Sequence, residues 1–169
     1  MKIYYREKSG GIEILRCFGI EGRVEIPGMI DDKLVISAAP YAFSSHMDEK
    51  EDLKNASLWE VSDGLEFGRE EHVLAGNDVE EIVFPYTLKE IGRYIFYGCG
   101  NLKKLEFSDS LMQIGCGAFT GCHALEKLTV HMRQGKKSGV KEMLGEMWQR
   151  IDVNFLYEYE ERCFQRNLL

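Results

Sequence analysis

Residues 79–101, VEEIVFPYTLKEIGRYIFYGCGN, and residues 102–124, LKKLEFSDSLMQIGCGAFTGCHA, are two copies of one 23-residue pattern. The aligned apolar residues of the first and second copies are Val79 and Leu102, Ile82 and Leu105, Phe84 and Phe107, Leu88 and Leu111, Ile91 and Ile114, and Phe96 and Phe119. A fixed period of this length is typical of a solenoid, in which each repeat forms one coil and the coils stack.

Each copy begins with a short strand. VEEIVF and LKKLEF alternate apolar and polar residues, which predicts strands with one buried face. One coil cannot bury its own apolar face, so neighbouring coils stack, with equivalent residues about 4.8 Å apart as in a parallel sheet. We therefore expect Phe96 to lie on Phe119 and Cys99 to lie on Cys122.

These residues resemble a known family. The pattern L-x-x-I-x-I-P-x-x-L-x-x-I-G-x-x-A-F-x-G-C-x-x-L is that of the BspA-like, or Treponema-type, leucine-rich repeat. The chain departs from it at Ile95, where the family has Ala, and at Ser108, where it has Pro. The resemblance implies an α/β leucine-rich-repeat solenoid of right-handed coils, with a short parallel sheet on one side. It implies no enzyme activity, and we expect no cofactor.

Composition limits the classes of function. The net charge of −7 argues against a nucleic-acid partner, and no apolar run approaches the ~20 residues that span a membrane. The N-terminus has no export signal, which predicts a cytoplasmic protein. The family resemblance suggests a cell-surface or secreted protein as the alternative. The five cysteines, an odd number, are expected to be reduced thiols.

The regions before the two copies predict a first coil and its cover. Residues 2–20 alternate around Ser9-Gly10-Gly11, which predicts a β-hairpin. We assign residues 1–23 to an N-terminal hairpin cap, a shape that the resembled family also has. Residues 24–131 form the predicted solenoid, and its first, divergent coil covers residues 24–43.

Residues 44–78 are strongly acidic. They contain ten acidic and three basic residues, a net charge of −7. We predict a polar excursion near residues 44–55, with one helical turn that begins at Ser45. For residues 56–78 two interpretations stay open. They form either a degenerate coil, in which Trp59 aligns with Ile82, or a loose acidic loop.

The end of the chain is predicted to be a helical cap, residues 132–169. From Ser138, a good N-cap residue, an apolar face recurs at helical spacing, at Val140, Met143, Leu144, Met147, Trp148 and Ile151. Residues 152–169 are ambiguous. Val153, Phe155, Tyr157 and Tyr159 alternate as in a strand, but Glu158 and Arg162 form an i,i+4 pair, and we prefer a second helix.

No residues point to catalysis or metal binding. Cys116 and the Cys122–His123 pair lack any metal-ligand or nucleophile spacing. The better candidate is the outer face of the predicted sheet, where repetition aligns side chains in columns. We expect a non-catalytic module that binds a protein or peptide, or alternatively a structural module of a larger bacterial surface assembly with no ligand of its own. The candidate contact residues are Glu81, Val83, Lys104, Glu106, Lys127, Thr129 and His131.

Overall fold

The structure is a computed structural model, and it describes residues 1–61 and 70–158. Strands dominate, with few helices. The strands are β1 (Lys2–Lys8), β2 (Gly11–Gly19), β3 (Arg23–Glu25), β4 (Met29–Ile30), β5 (Lys33–Ala38), β6 (Ser57–Glu60), β7 (His72–Val73), β8 (Glu81–Val83), β9 (Glu90–Ile91), β10 (Lys104–Ser108), β11 (Gln113–Ile114), β12 (Lys127–Arg133) and β13 (Asp152–Glu158). The helices are α1 (Glu49–Asp52) and α2 (Val140–Leu144), with 3₁₀ turns at Gly76–Asp78 and Gly145–Gln149.

Two sheets enclose one core. The repeat sheet has the strand order β13-β12-β10-β8-β3 and all its pairs are parallel. The hairpin sheet has the order β11-β9-β5-β2-β1-β6, with β4 beside β5 and β7 beside β2. The apolar side chains of both sheets meet in one buried cluster, which runs from Ile3 to Leu144.

The two 23-residue copies lie side by side in the predicted register. Leu105 of β10 pairs with Ile82 of β8 on one side and with Leu128 of β12 on the other. The Phe96 ring lies 5.6 Å from that of Phe119, as predicted, and 5.9 Å from that of Phe43 in the first coil. Phe119 is only partly buried, however, because it belongs to the last complete copy.

The predicted hairpin at the N-terminus is confirmed. β1 pairs antiparallel with β2, and Lys8 lies opposite Gly11, with Gly10 at a φ of 91° in the turn between them. β2 then pairs parallel with β5 of residues 24–43, so the hairpin continues the sheet beyond the first coil. The buried Arg16 holds the end of that coil, because it donates hydrogen bonds to the carbonyls of Ala42 and Ser44.

The prediction of a coil over residues 56–78 is wrong for its described part. Trp59 of β6 pairs with Ile3 of β1, and Val24 of β3 takes the predicted place beside Ile82. Trp59 of β6 packs partly buried against the core next to the hairpin strand β1, and β6 does not join the repeat sheet. Residues 62–69 lie outside the described residues.

The acidic excursion contains the short helix α1, but Ser45 does not cap it. The Asp48 carboxylate accepts hydrogen bonds from the backbone N–H groups of Lys50 and Glu51. Asp is as good an N-cap as Ser, and its charge is favourable at the start of a helix.

The C-terminal region differs from the expected pair of helices. Gly139, and not Ser138, is the N-cap residue of α2, although the Ser138 hydroxyl accepts a hydrogen bond from the Val140 N–H. Val140 and Leu144 enter the core. The α-helix ends at Gly145, whose φ of 56° breaks it. Residues 152–158 form strand β13 and not a helix, because their period-two alternation places Val153 and Phe155 against the core. Residues 159–169 lie outside the described residues. No helix in the described ranges is long and apolar enough to cross a bilayer.

Candidate functional site

On the outer face of the repeat sheet, the candidate contact residues of the three strands β8, β10 and β12 align in columns, as expected. The first column contains Glu81, Lys104 and Lys127, and the second contains Val83, Glu106 and Thr129. Each member alternates with a fully buried residue, such as Leu105 beside Lys104. These polar side chains therefore point away from the core, as strand geometry requires.

Sequence reasoning missed the ends of both columns. Arg23 and Glu25 of β3 lie beside Glu81 and Val83, and Asp152 and Asn154 of β13 lie beside Lys127 and Thr129. The added residues are Arg23, Glu25, Asp152 and Asn154. A period-two reading of residues 152–158 would have found the last two. The first two were hidden because the insertion of residues 44–78 breaks the 23-residue spacing.

In the first column, Glu81 forms ion pairs with its neighbours on both sides. The Lys104 ammonium lies 2.7 Å from a Glu81 carboxylate oxygen, and Arg23 Nε lies 3.6 Å from the other oxygen. The hydrogen bond to Glu81 raises the pKa of Lys104. Lys127 forms no ion pair within residues 1–61 and 70–158, although Lys104 and Asp152 flank it. Lys127 is thus the most available cation of this face.

Two candidate contact residues are buried. Thr129 is 5% exposed and His131 is 6% exposed. His131 Nε2 lies 2.9 Å from Glu106 Oε2, and the Tyr86 ring packs edge-on against the imidazole at 5.3 Å. The accessible part of the predicted surface is consequently Glu81, Val83, Lys104, Glu106 and Lys127. Thr129 and His131 are buried and are not part of the accessible surface.

The thiol groups are not arranged for chemistry. The Cys99 thiol donates to the Phe43 carbonyl oxygen, and the Cys122 thiol donates to that of Phe96. Burial raises the pKa of both thiols to about 12, so both stay protonated at neutral pH. Within the described residues, no group of three or more His, Cys, Asp or Glu side chains is placed to hold a metal ion.

A second polar network lies on the hairpin sheet, where sequence reasoning proposed nothing. The nearly buried Glu13 carboxylate accepts hydrogen bonds from Arg6 and Ser37. The Lys8 ammonium lies 2.5 Å from Glu90 and 3.2 Å from the Ser37 hydroxyl, and these contacts join the hairpin to the first two coils. The alternation of residues 2–8 was the available signal. Because every charge is paired within the chain, this network is structural.

Comparison with solved structures gives two distant matches. A leucine-rich cell surface protein from Faecalibacterium prausnitzii A2-165 is 18% identical over 77% of this chain, with a TM-score of 0.48. The chain spans only 30% of the length of that protein. A leucine-rich repeat protein of T. pallidum is 22% identical, with a TM-score of 0.37, over 91% of this chain and 79% of its own length. No curated protein matches the chain.

A model of the family described as a BspA-type leucine-rich repeat region of six copies matches residues 70–167. This range is more than half of the 169 residues. It contains both 23-residue copies and strands β7 to β13. The chain belongs to the BspA-type leucine-rich repeat family.

Proposed function

We propose that this chain is a non-catalytic interaction module that binds a protein or peptide on the outer face of its repeat sheet. The observation that carries the proposal is the continuous alignment of polar side chains across five parallel strands. A surface of this kind is what stacked repeats offer to partners. The mixed charges of Glu81, Lys104 and Glu106 suit a polar protein better than a polyanion, which prefers one sign of charge.

In this proposal the fold is a right-handed solenoid with both ends covered. The hairpin β1–β2 covers the first coil, and α2 with the following 3₁₀ turn covers the last. The burial of Val140 and Leu144 supports the second role, since terminal repeats expose apolar surface unless another element covers it. The corresponding domains are residues 1–23, 24–131 and 132–169, with the acidic excursion near residues 44–55.

The test is a charge reversal on the sheet face. Partners are captured with the immobilised wild-type protein, and the strongest is measured against Lys104→Glu/Lys127→Glu by surface binding kinetics. Both side chains are exposed, so folding should be preserved. We expect an on-rate lower by about fivefold or more, because charges on an interface steer association.

A matched control reverses two other exposed lysines, Lys136 and Lys137, which follow β12. This variant carries the same total charge, so it separates a local contact from a change in net charge. Equal kinetics for both variants would remove the contact from the sheet face and favour the acidic residues 44–78. If the wild type captures no partner, the structural module of a larger surface assembly becomes the better interpretation.

A further inference from the structure

Among the described residues, strand β13 is the edge of the repeat sheet and lacks the usual protection of an edge strand. It lies at the end of the repeat sheet and, within the described residues, pairs only with β12. Natural edge strands are normally protected by charged residues, proline or a β-bulge. Residues 153–157, VNFLY, contain no charge and no proline, and their register with β12 runs without a shift. Such a strand invites pairing with another strand.

Apolar surface extends from the core to this edge. Val153 and Phe155 are partly buried, and the Trp148 ring packs 5.8 Å from that of Phe155. Further along the strand, Leu156 is 40% exposed and Tyr157 is 68% exposed. Two of the large exposed apolar side chains, Leu156 and Tyr157, therefore lie on the same strand as the partly buried Val153 and Phe155.

The direction of the free backbone groups follows from the existing pairing. The Asp152 N–H donates to the Glu126 carbonyl, toward β12. In a parallel ladder, alternate residues direct their N–H and C=O groups to opposite sides of the strand. Val153, Phe155 and Tyr157 therefore direct theirs to the open edge.

We propose that β13 pairs antiparallel with β13 of a second copy of this chain, with Phe155 opposite Phe155. The strand is self-complementary in this register. Val153 lies opposite Tyr157 on the inner face, and Asn154 lies opposite Leu156 on the outer face. The outward-directed residues then form hydrogen-bonded pairs, about six backbone hydrogen bonds in total.

Charge is consistent with this occupant. No charged residue faces another between positions 153 and 157, whose side chains are all apolar or amide. In this register Asp152 comes opposite Glu158 at each end of the pairing, and this like-charge contact opposes association at low salt, while Lys127 lies beside Asp152. The two-fold arrangement closes on itself, so it gives dimers and not fibres.

The expected affinity is modest. One strand pair with a few apolar side chains buries less than the roughly 1,200 Å² that stable complexes bury. We therefore expect a dimer that dissociates in the micromolar range. Its pairing joins two five-stranded repeat sheets into one continuous sheet, independently of any partner on the outer face.

The register is tested by disulfide trapping in a Cys116→Ser/Cys163→Ser background. Asn154→Cys and Leu156→Cys are made in separate full-length chains. In the proposed register they form a non-hydrogen-bonded pair with Cα atoms about 4.5 Å apart, which suits a disulfide. We expect mild oxidation to cross-link the mixture and neither variant alone. No cross-link in the mixture, or equal cross-linking in all three samples, would overturn the proposal.

The second test is sedimentation equilibrium of the full chain from about 1 to 200 μM, the range in which dimers of this interface size dissociate. We expect a concentration-dependent dimer for the wild type and a monomer for Leu156→Lys, because a charge at the edge blocks pairing. Met112→Lys, at a side chain that is 75% exposed and lies off β13, is the matched control and should still dimerise. A wild type that stays monomeric throughout, or a dimer that Leu156→Lys does not weaken, refutes the proposal.

Discussion

Phe96→Ala should be among the most damaging single substitutions in this chain. The Phe96 side chain is 0% exposed, and its ring lies within 6.2 Å of the rings of Phe43, Phe84 and Phe119. Removing a buried phenylalanine costs about 3–5 kcal/mol, and more when the surroundings cannot collapse into the cavity. Here coils hold the site on both sides, so we expect a loss near 5 kcal/mol.

The measurement is guanidinium denaturation followed by circular dichroism. With a denaturant slope of about 4 kcal/mol/M, the Phe96→Ala midpoint should fall by about 1 M. Phe119→Ala is the matched control, because Phe119 occupies the same repeat position but is partly exposed. Its loss should be about 2 kcal/mol, a shift near 0.5 M. Equal shifts, or a larger one for Phe119→Ala, would contradict the stacking geometry.

The remaining predictions concern thiols, coil spacing and a buried cation. In native protein at pH 8, a thiol reagent should label the exposed Cys116 at once and the buried Cys99 only on unfolding. Because the folded pKa of Cys99 is raised to about 12, its proton is lost first from the unfolded chain, and stability should fall between pH 9 and 12 by about 1.4 kcal/mol per unit for this thiol. Cys99→Ala should show a shallower slope in urea midpoints over that range. Gly115→Ala would place a Cβ 2.2 Å from a backbone nitrogen of the neighbouring coil and should cost about 3 kcal/mol, a melting temperature lower by roughly 6–12 °C. Arg16→Met would remove the donor to the Ala42 and Ser44 carbonyls and the ion-pair partner of the exposed Glu49, and calorimetry should find a loss of about 1–3 kcal/mol.

The fold was predictable where the sequence repeats. The alignment of the two copies predicts that Leu105 lies beside Ile82 and Phe96 beside Phe119, and both pairs are neighbours in the structure. The prediction failed where an alternating segment had two possible partners. Trp59 carries the same local pattern as Ile82, and only tertiary packing assigns it to the hairpin. An alignment also does not show where a residue lies in the stack, because it treats the buried Phe96 and the partly buried Phe119 as equivalent.

The sequence predicts which residues share the face of the candidate surface, but not how deeply each of them is buried. Alternation places Lys104, Glu106 and Thr129 on one face, as the structure has them. It does not indicate that Thr129 and His131 are buried. Part of the cover of His131 comes from outside the strand, from the ring of Tyr86. The failure to predict strand β13, where a helix was preferred, also has a physical cause. A surface ion pair of the i,i+4 type is worth only a few tenths of a kcal/mol, less than the burial of Phe155 in a sheet.

Strand β3 of the first coil pairs directly with β8 of the next coil, so the register of these two coils does not depend on the length of the connection between them. Arg23 and Glu81 are 58 positions apart (81 − 23), whereas Glu81 and Lys104 are 23 apart, yet both pairs are neighbours in one sheet. By loop-closure entropy, the longer connection costs only about 0.8 kcal/mol more. The length of residues 44–78 therefore does not set the register of the repeats, although the segment contains contacts that must be kept, since Ser44 and Leu74 are buried and Trp59 pairs with Ile3. The exposed residues Lys54 and Asn55 are accordingly a position at which a foreign domain could be inserted without shifting the repeats.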